Sequence, residues 1–462
     1  MKEILSRTES VCPECLARIP ADRVKYGEDI YLEKDCPEHG HFKTVIWRGL
    51  PAFAAWTRPK TPAYPDRPFT KVERGCPFDC GLCPEHKQLS CCVLLEVTQR
   101  CDLQCPICFA DAAHHPTPDP TLGEIDACFT RLLSAGGPFN IQLSGGEPCL
   151  RNDLPEIIRL GRSHAFTFFQ LNTNGLRIAR DRAYLAALKE AGLSTVFLQF
   201  DGTRDRIYQT MRGCSLLDDK MAVIENCAEQ DTGVVLVPTL VPGINTDDIG
   251  NIIRLALDHM PIVRGVHFQP ISYFGRYPES PTDETRITIP EIIRAIEAQT
   301  NGLIQSETFC PPGGENALCS FHGNYVLMAD SSLLPLTRRE TESCCCQPIP
   351  AAEGAARSRQ FVATHWSSPM PISDLPVISG PSLGEWDTFL ERKRTYTFCL
   401  SGMAFQDAWT LDLDRLRECY IHNASTDGRL VPFCAYNLTD RLGHSLYRHN
   451  HATDPARPLD TP

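Results

Sequence analysis

The stretch "VTQRCDLQCPICFADA", residues 97–112, decides how this chain is read. It sets Cys101, Cys105 and Cys108 in a C-x3-C-x2-C spacing, three thiols within eight residues. A tetrahedral zinc site or a closed iron–sulfur cluster asks for four protein ligands. Three in one tight loop fit a cubane that leaves one iron open. A small chelating ligand with an amine and a carboxylate suits that vacancy.

Just before the triad, "CCVLLEVT" is rich in β-branched and aliphatic residues, so the cysteines follow a strand and sit at its carboxyl end. Further β-rich runs follow at "FNIQLSG", "TFFQLNTNG", "STVFLQFDG", "GVVLVPTLVPG" and "RGVHFQP". Between them lie amphipathic helical segments such as "TLGEIDACFTRLLSAGG" and "DRAYLAALKEAGL". Alternating strands and helices predict an α/β fold of six parallel units, a partial (β/α)6 barrel or a curved open sheet. In either, ligands gather at the carboxyl ends of the strands. Those ends carry polar groups. "LSGGEP" offers Gly145 and Gly146, whose backbone can approach a ligand closely, and Glu147, a carboxylate for a ligand ammonium. "LNTNG" adds Asn172, Thr173 and Asn174, and "LQFDG" adds Gln199 and Asp201.

The chain has 462 residues, 42% hydrophobic and 22% charged, with a formal net charge of -12, so it lacks the basic footprint of a nucleic-acid binder. No run of 18 apolar residues predicts a transmembrane segment, and "MKEILSRTES" lacks the apolar core of a signal peptide, so a cytoplasmic location is expected. In that compartment 23 cysteines should be reduced thiols, and their close grouping points to metal or cluster ligation. Cys128, Cys214 and Cys227 stand alone in helix-like patterns and are expected to be small buried hydrophobes.

Four regions are expected. Residues 1–60 form a rubredoxin- or zinc-ribbon-like knuckle: "CPEC" and "CPEHG" supply Cys12, Cys15, Cys36 and His39 for one mononuclear iron or zinc. Residues 61–90 are a proline-rich linker that ends in a second C-x3-C-x2-C, Cys76, Cys80 and Cys83. This triad suits an auxiliary cluster, with Cys91, Cys92 or His86 as fourth ligand, or a structural zinc. Residues 91–280 are the core. Residues 281–462 lose the β/α rhythm and form a cysteine-bearing tail and lid. There Cys310, Cys319, Cys419 and Cys434 can close a further cluster, with Cys399 as substitute, while "SCCCQ" (Cys344 to Cys346) suits a soft ion or a plain loop equally.

The triad with GGEP beyond it resembles the radical S-adenosylmethionine (SAM) superfamily over the core. The resemblance implies that Cys101, Cys105 and Cys108 hold a [4Fe–4S] cluster whose open iron is chelated by SAM. It implies that Gly145, Gly146 and Glu147 contact SAM, and that reductive cleavage yields a 5′-deoxyadenosyl radical. An aromatic commonly precedes the last cysteine of that family's motif; here it is Ile107, with Phe109 following. The N-terminal knuckle, both triads and "LRECYIHNAS…VPFCAYN" look like one subgroup, over nearly the whole chain. It includes enzymes that methylate hydroxymethyl-dihydropterin and synthases that join lipid chains into tetraethers. The expected function is therefore carbon–carbon bond formation at an unactivated carbon of a pterin-like or lipid substrate, by methylation or coupling. The expected partners are that substrate and an electron donor such as ferredoxin or flavodoxin; one or two auxiliary iron–sulfur clusters are implied. The competing readings are an iron–sulfur electron carrier without SAM chemistry and a zinc-ribbon interaction protein.

Overall fold

A computed structural model describes residues 2–113, 117–339, 348–369, 384–425 and 428–448. Four antiparallel strands open the chain: β1 (Lys2–Val11), β2 (Arg18–Tyr26), β3 (Asp29–Cys36) and β4 (Gly40–Arg48), paired in that order. The ribbon docks on the C-terminal part through Arg23, whose guanidinium donates to Asp412 at 2.7 and 2.8 Å. The buried Lys34 ammonium donates to the Ala408 carbonyl at 2.6 Å and Ser10 Oγ at 3.0 Å. A short β5 (Lys60–Thr61) follows and pairs later with β15 (Ile349–Pro350).

The core begins with β6 (Cys92–Thr98), β7 (Asn140–Gly145), β8 (Phe169–Thr173), β9 (Thr195–Gln199), β10 (Gly233–Val237), the two-residue β11 (Thr239–Leu240) and β12 (Val263–Pro270). The six longer strands are parallel neighbours in chain order, as the alternating pattern predicts. Helices α1 (Leu122–Ser134), α2 (Leu154–Ser163), α3 (Leu176–Arg180), α4 (Arg182–Ala191), α5 (Asp205–Arg212), α6 (Leu217–Glu229) and α7 (Ile249–Asp258) connect them. Local chemistry sets their ends and inner faces. Thr121 and Glu124 form a reciprocal capping box on α1, which buries Ile125, Phe129 and Leu132 at helical spacing.

Beyond β12 the chain differs from expectation. Helix α8 (Ile289–Gln299) leads to β13 (Ser320–Leu327), β14 (Leu333–Pro335), α9 (Ala351–His365) and α10 (Glu385–Thr395). After them come β16 (Thr397–Met403), α11 (Leu413–Arg417), β17 (Ile421–Ala424), β18 (Leu430–Pro432) and α12 (Phe433–Tyr436). Strand β16 pairs parallel to β12, and β17 pairs parallel to β6, so the tail extends both edges of the core sheet. The parallel run is thus β17-β6-β7-β8-β9-β10-β12-β16, with β13 and β18 antiparallel outside it. Helices α8 to α10 and strands β13 to β15 separate β12 from β16, so the simple strand–helix–strand rhythm that reveals parallel neighbours in sequence is broken there. The strands wrap one cavity of about 420 Å³, lined from β6, β7, β8, β9, β12, β13 and β16 and from helix α9.

One buried ion pair within the tail also grips the core. Arg286 donates to Asp407 at 2.8 and 3.1 Å, with side chains 7% and 0% exposed, and Asp407 also accepts from Tyr273 N at 2.9 Å. Removing one partner of such a pair strands the other charge in the interior. Asp407→Ala should therefore lower unfolding stability by about 3–5 kcal/mol, read from denaturation midpoints.

Candidate functional site

Strand β6 runs directly into the loop that bears Cys101, Cys105 and Cys108, and β7 runs into the Gly145–Gly146–Glu147 turn beside it. Two backbone bonds join them: Gly146 N donates to the Thr98 carbonyl and Glu147 N to the Arg100 carbonyl, each at 2.8 Å. A Cβ on Gly145 would lie 2.1 Å from the Thr98 oxygen, and one on Gly146 would lie 2.1 Å from the Arg100 oxygen. Gly145 also has φ +128, which side chains disfavour. The glycine pair expected to admit a ligand thus also admits the cysteine loop.

Cys105 is buried and its two partners half-buried, packed with Leu103, Leu176, Tyr208 and Leu216. Burial pushes the Cys101 thiol up to about 12. Burial likewise raises Cys105, while the neighbouring Arg212 guanidinium opposes the rise. Arg276 donates to the Cys105 carbonyl at 2.8 Å, and its backbone pairs with Cys108 in both directions at 2.9 Å. Three soft sulfurs on one braced loop fit a cluster, whose iron would hold them as thiolates despite the burial.

The polar groups at the other strand ends form one network. Glu147 accepts from Cys149 N at 2.9 Å, Thr173 Oγ1 at 2.7 Å and Asn174 N at 2.7 Å. Its carboxylate therefore braces the third strand end. Asn174 Nδ2 donates to Asp102 at 2.7 Å, inside the cysteine loop, and Asn172 Nδ2 to Ser144 Oγ at 3.3 Å. Asp201 is locked in a two-point pair with Arg212 at 2.7 and 2.8 Å and accepts from Gln199 at 3.0 Å. The fully buried Lys220 donates to the Asn174 carbonyl, and burial pulls it down to about 8. Arg212, Lys220 and Arg276 escape a sequence reading, since each sits in an ordinary helical or loop pattern. Arg448, which pairs with Glu96 at 2.6 Å and lies 5.6 Å from the Phe109 ring centroid, is equally unmarked.

In the ribbon, the ligand atoms of Cys12, Cys15, Cys36 and His39 all lie within 4.8 Å of one another. Burial pushes Cys36 up, but His39 and the backbone N–H groups of Glu38 and His39 outweigh it and bring the thiol to about 7. Two tight turns and a mixed sulfur–nitrogen set suit one tetrahedral ion.

The second triad, Cys76, Cys80 and Cys83, is buried; the neighbouring Cys76 thiol and burial push Cys80 up, and burial pushes Cys83 up. Its loop is pinned by Asp79, which accepts from the N–H groups of Glu73, Arg74 and Gly75 at 2.7, 2.6 and 2.7 Å. The suggested fourth ligands have other neighbours. His86 Nε2 pairs with the Cys419 carbonyl at 2.8 Å, Cys91 lies by Cys92 and Glu315, and Cys92 lines the cavity. In the tail, Arg415 donates to Cys319 Sγ at 3.6 Å and lies by Cys434, and Cys419 lies by Cys434 and Cys319. Cys310 instead pairs its backbone with His322 at 2.9 and 3.1 Å, and Cys399 lies in β16 on the cavity wall. Cys344 to Cys346 lie outside the described residues. Cys227 is buried and Cys128 half-buried, but Cys214 is exposed, because it follows the turn at Gly213 that ends α5.

Two substitutions test this geometry. Gly146→Ala drives a methyl into the Arg100 carbonyl, so cluster absorbance per chain should fall clearly below the parent's, while ribbon metal stays constant. Combined Cys15→Ser and Cys36→Ser should remove about one metal ion per chain by elemental analysis, and leave the cluster spectrum in place.

Residues 95–256 match the radical SAM superfamily, and residues 4–48 match the HMPTM N-terminal zinc ribbon domain. The chain is 36% identical over 476 residues to a 7,8-dihydro-6-hydroxymethylpterin dimethyltransferase of Methanocaldococcus jannaschii, covering 94% of each chain. A Fe-coproporphyrin III synthase of Methanosarcina barkeri is 34% identical over 187 residues, 40% of this chain and 45% of that protein. Among solved structures, Streptococcus suis SuiB bound to S-adenosylmethionine aligns at a TM-score of 0.38 and 13% identity, over 46% of this chain and 48% of that one. With the triad, the GGEP turn and a full-length relative in agreement, the chain belongs to the radical SAM superfamily and to the family of the pterin dimethyltransferase.

Proposed function

We propose that this radical SAM enzyme methylates a reduced pterin bearing a hydroxymethyl group. The observation that carries the reading is where the cysteine loop opens. Phe109, next to Cys108, lines the cavity of about 420 Å³ inside the strands, a volume suited to a bicyclic heterocycle. Leu94, Phe405 and Phe433 join Phe109 there and form an apolar end that keeps water from a reactive carbon. The rest of the lining is rich in carboxamides and histidines, which suits a heteroaromatic ring better than a lipid chain.

Cys101, Cys105 and Cys108 would hold the [4Fe–4S] cluster, which together with SAM supplies a radical able to take hydrogen from unactivated carbon. Gly145 and Gly146 set the turn against which SAM would lie. Glu147, Thr173 and Asn174 hold that turn, and Asn172 and Gln199 flank it. Asp201 acts through Arg212 on the setting of Cys105. The ribbon ligands Cys12, Cys15, Cys36 and His39 would carry one zinc ion. The triad Cys76, Cys80 and Cys83 and the tail set Cys319, Cys419 and Cys434 would serve auxiliary clusters. A low-potential donor such as ferredoxin or flavodoxin would supply electrons in the reducing cytoplasm. Among the described residues no helix is long and apolar enough to cross a membrane.

Anaerobic protein given SAM, a strong reductant, the dihydropterin and a one-carbon donor should release 5′-deoxyadenosine and add methyl mass to the pterin, since the cleaved SAM keeps its own methyl group on methionine. Replacing Cys101, Cys105 and Cys108 together by Ala should abolish both products while the remaining metal stays bound. Unchanged 5′-deoxyadenosine in that variant would place SAM chemistry at another triad. Deoxyadenosine without pterin methylation in the parent would point to a different substrate.

A further inference from the structure

The wall of the lumen changes in chemistry from strand to strand. Phe109, Phe405 and Phe433 stand at the end next to the cysteine loop, with ring centroids 4.3 Å apart for Phe405 and Phe433 and 5.7 Å for Phe109 and Phe433. Beside Leu94, which packs with Phe433, the wall turns polar on the neighbouring strands. Gln142 on β7 and Gln170 on β8 are direct register partners, so two carboxamides stand side by side on the inner face, about 4.8 Å apart as neighbouring strands are. Across the lumen, Asn324 on β13 adds a third.

These groups are short of partners. Gln170 is 4% exposed and Asn324 8% exposed, and neither side chain has a hydrogen-bond partner among the described residues. Gln142 has only the Cys92 thiol, at 3.9 Å from its oxygen, and its amide N–H groups stay open. A carboxamide that faces a cavity without a protein partner is free to donate to and accept from a ligand there. Three around one cavity point to a ligand that completes them. Their chemistry defines its edge: a carboxamide donates and accepts at once, so a row of them suits a neutral ring edge that alternates N–H donors with acceptors. The aminopyrimidinone edge of a pterin has that alternation. A phosphate or carboxylate would leave the carboxamide oxygens facing negative charge.

We propose that Gln142, Gln170 and Asn324 form the specificity subsite for that edge. This inference rests on the pterin reading above, and deepens it by naming the groups that read the ring.

Binding of the fluorescent pterin to the intact anaerobic protein tests it, with the matching lumazine, which carries oxygen in place of the 2-amino group, as comparison ligand. The parent should bind the pterin and prefer it to the lumazine. Combined Gln142→Leu and Gln170→Leu should weaken pterin binding roughly 30-fold, at about fivefold per lost hydrogen bond plus the stranded ligand groups. The same variant should lose the preference for pterin over lumazine, a change that loosened packing would not produce. Asn324→Ala, which removes a smaller group from another strand, should shift the same ratio if the double variant fails to fold. Variants that keep the parent's affinity and preference would overturn the subsite while leaving the pterin function standing. A parent that binds no pterin yet cleaves SAM would overturn both.

Discussion

Everything at the reactive end depends on two backbone contacts made possible by missing side chains. Gly146 N and Glu147 N reach the Thr98 and Arg100 carbonyls because neither Gly145 nor Gly146 carries a Cβ. That contact fastens the turn after β7 to the loop after β6, and so fixes the thiols relative to the strand ends. Glu147 extends the brace to β8 through Thr173 and Asn174, and Asn174 returns to Asp102 within the cysteine loop. Lys220 then ties the Asn174 carbonyl to Gln199 at 3.5 Å, and Gln199 leads to Asp201 and Arg212 beside Cys105. Four strand ends and one cysteine loop are thus held in a closed circuit of polar contacts.

Such a circuit is expensive to bury. Desolvating charges such as Arg212 with Asp201, or Arg448 with Glu96, offsets much of their attraction, so these pairs add little net stability. What they supply is orientation. A cluster-bearing loop without regular hydrogen bonding has many near-equal conformations, and directional charge pairs choose one. Their weight falls where position matters most, on the residues around Cys105 and Cys108.

The sequence shows the core clearly, because six strands with amphipathic helices between them carry two different periodicities in alternation. It shows the cysteine triads and the ribbon ligands too, since close spacing along the chain forces closeness in space. Where it fails, the cause is distance along the chain. Strands β16 and β17 lie far along the chain from the strands they pair with, so nothing local marks "TFCLSGM" or "IHNA" as parallel neighbours of β12 and β6. Cys319, Cys419 and Cys434 are brought near one another from three separate stretches of the tail, which nothing local in the sequence marks. Glu147 was legible as important but not in its direction, which depends on N–H groups from the next strand.

The tail also explains how a sheet built from six units comes to hold a cavity at all. Helix α9 lies across the amino ends of the strands: Arg359 donates to the Ser90 carbonyl at 2.7 Å, and Asn140 Nδ2 donates to the Arg359 carbonyl at 3.1 Å. Arg264, at the start of β12, donates to the His365 carbonyl at 2.9 Å. At Gly354 the helix comes so close to the Gly313 carbonyl that a Cβ would lie 2.2 Å from it. At the other end Phe405 and Phe433, also from the tail, pack over Phe109. The same segment that widens the sheet by two parallel strands therefore bounds the lumen above and below. Desolvation of the lumen strengthens its hydrogen bonds and keeps water from reactive carbon, and both effects would vanish in the six-unit core alone.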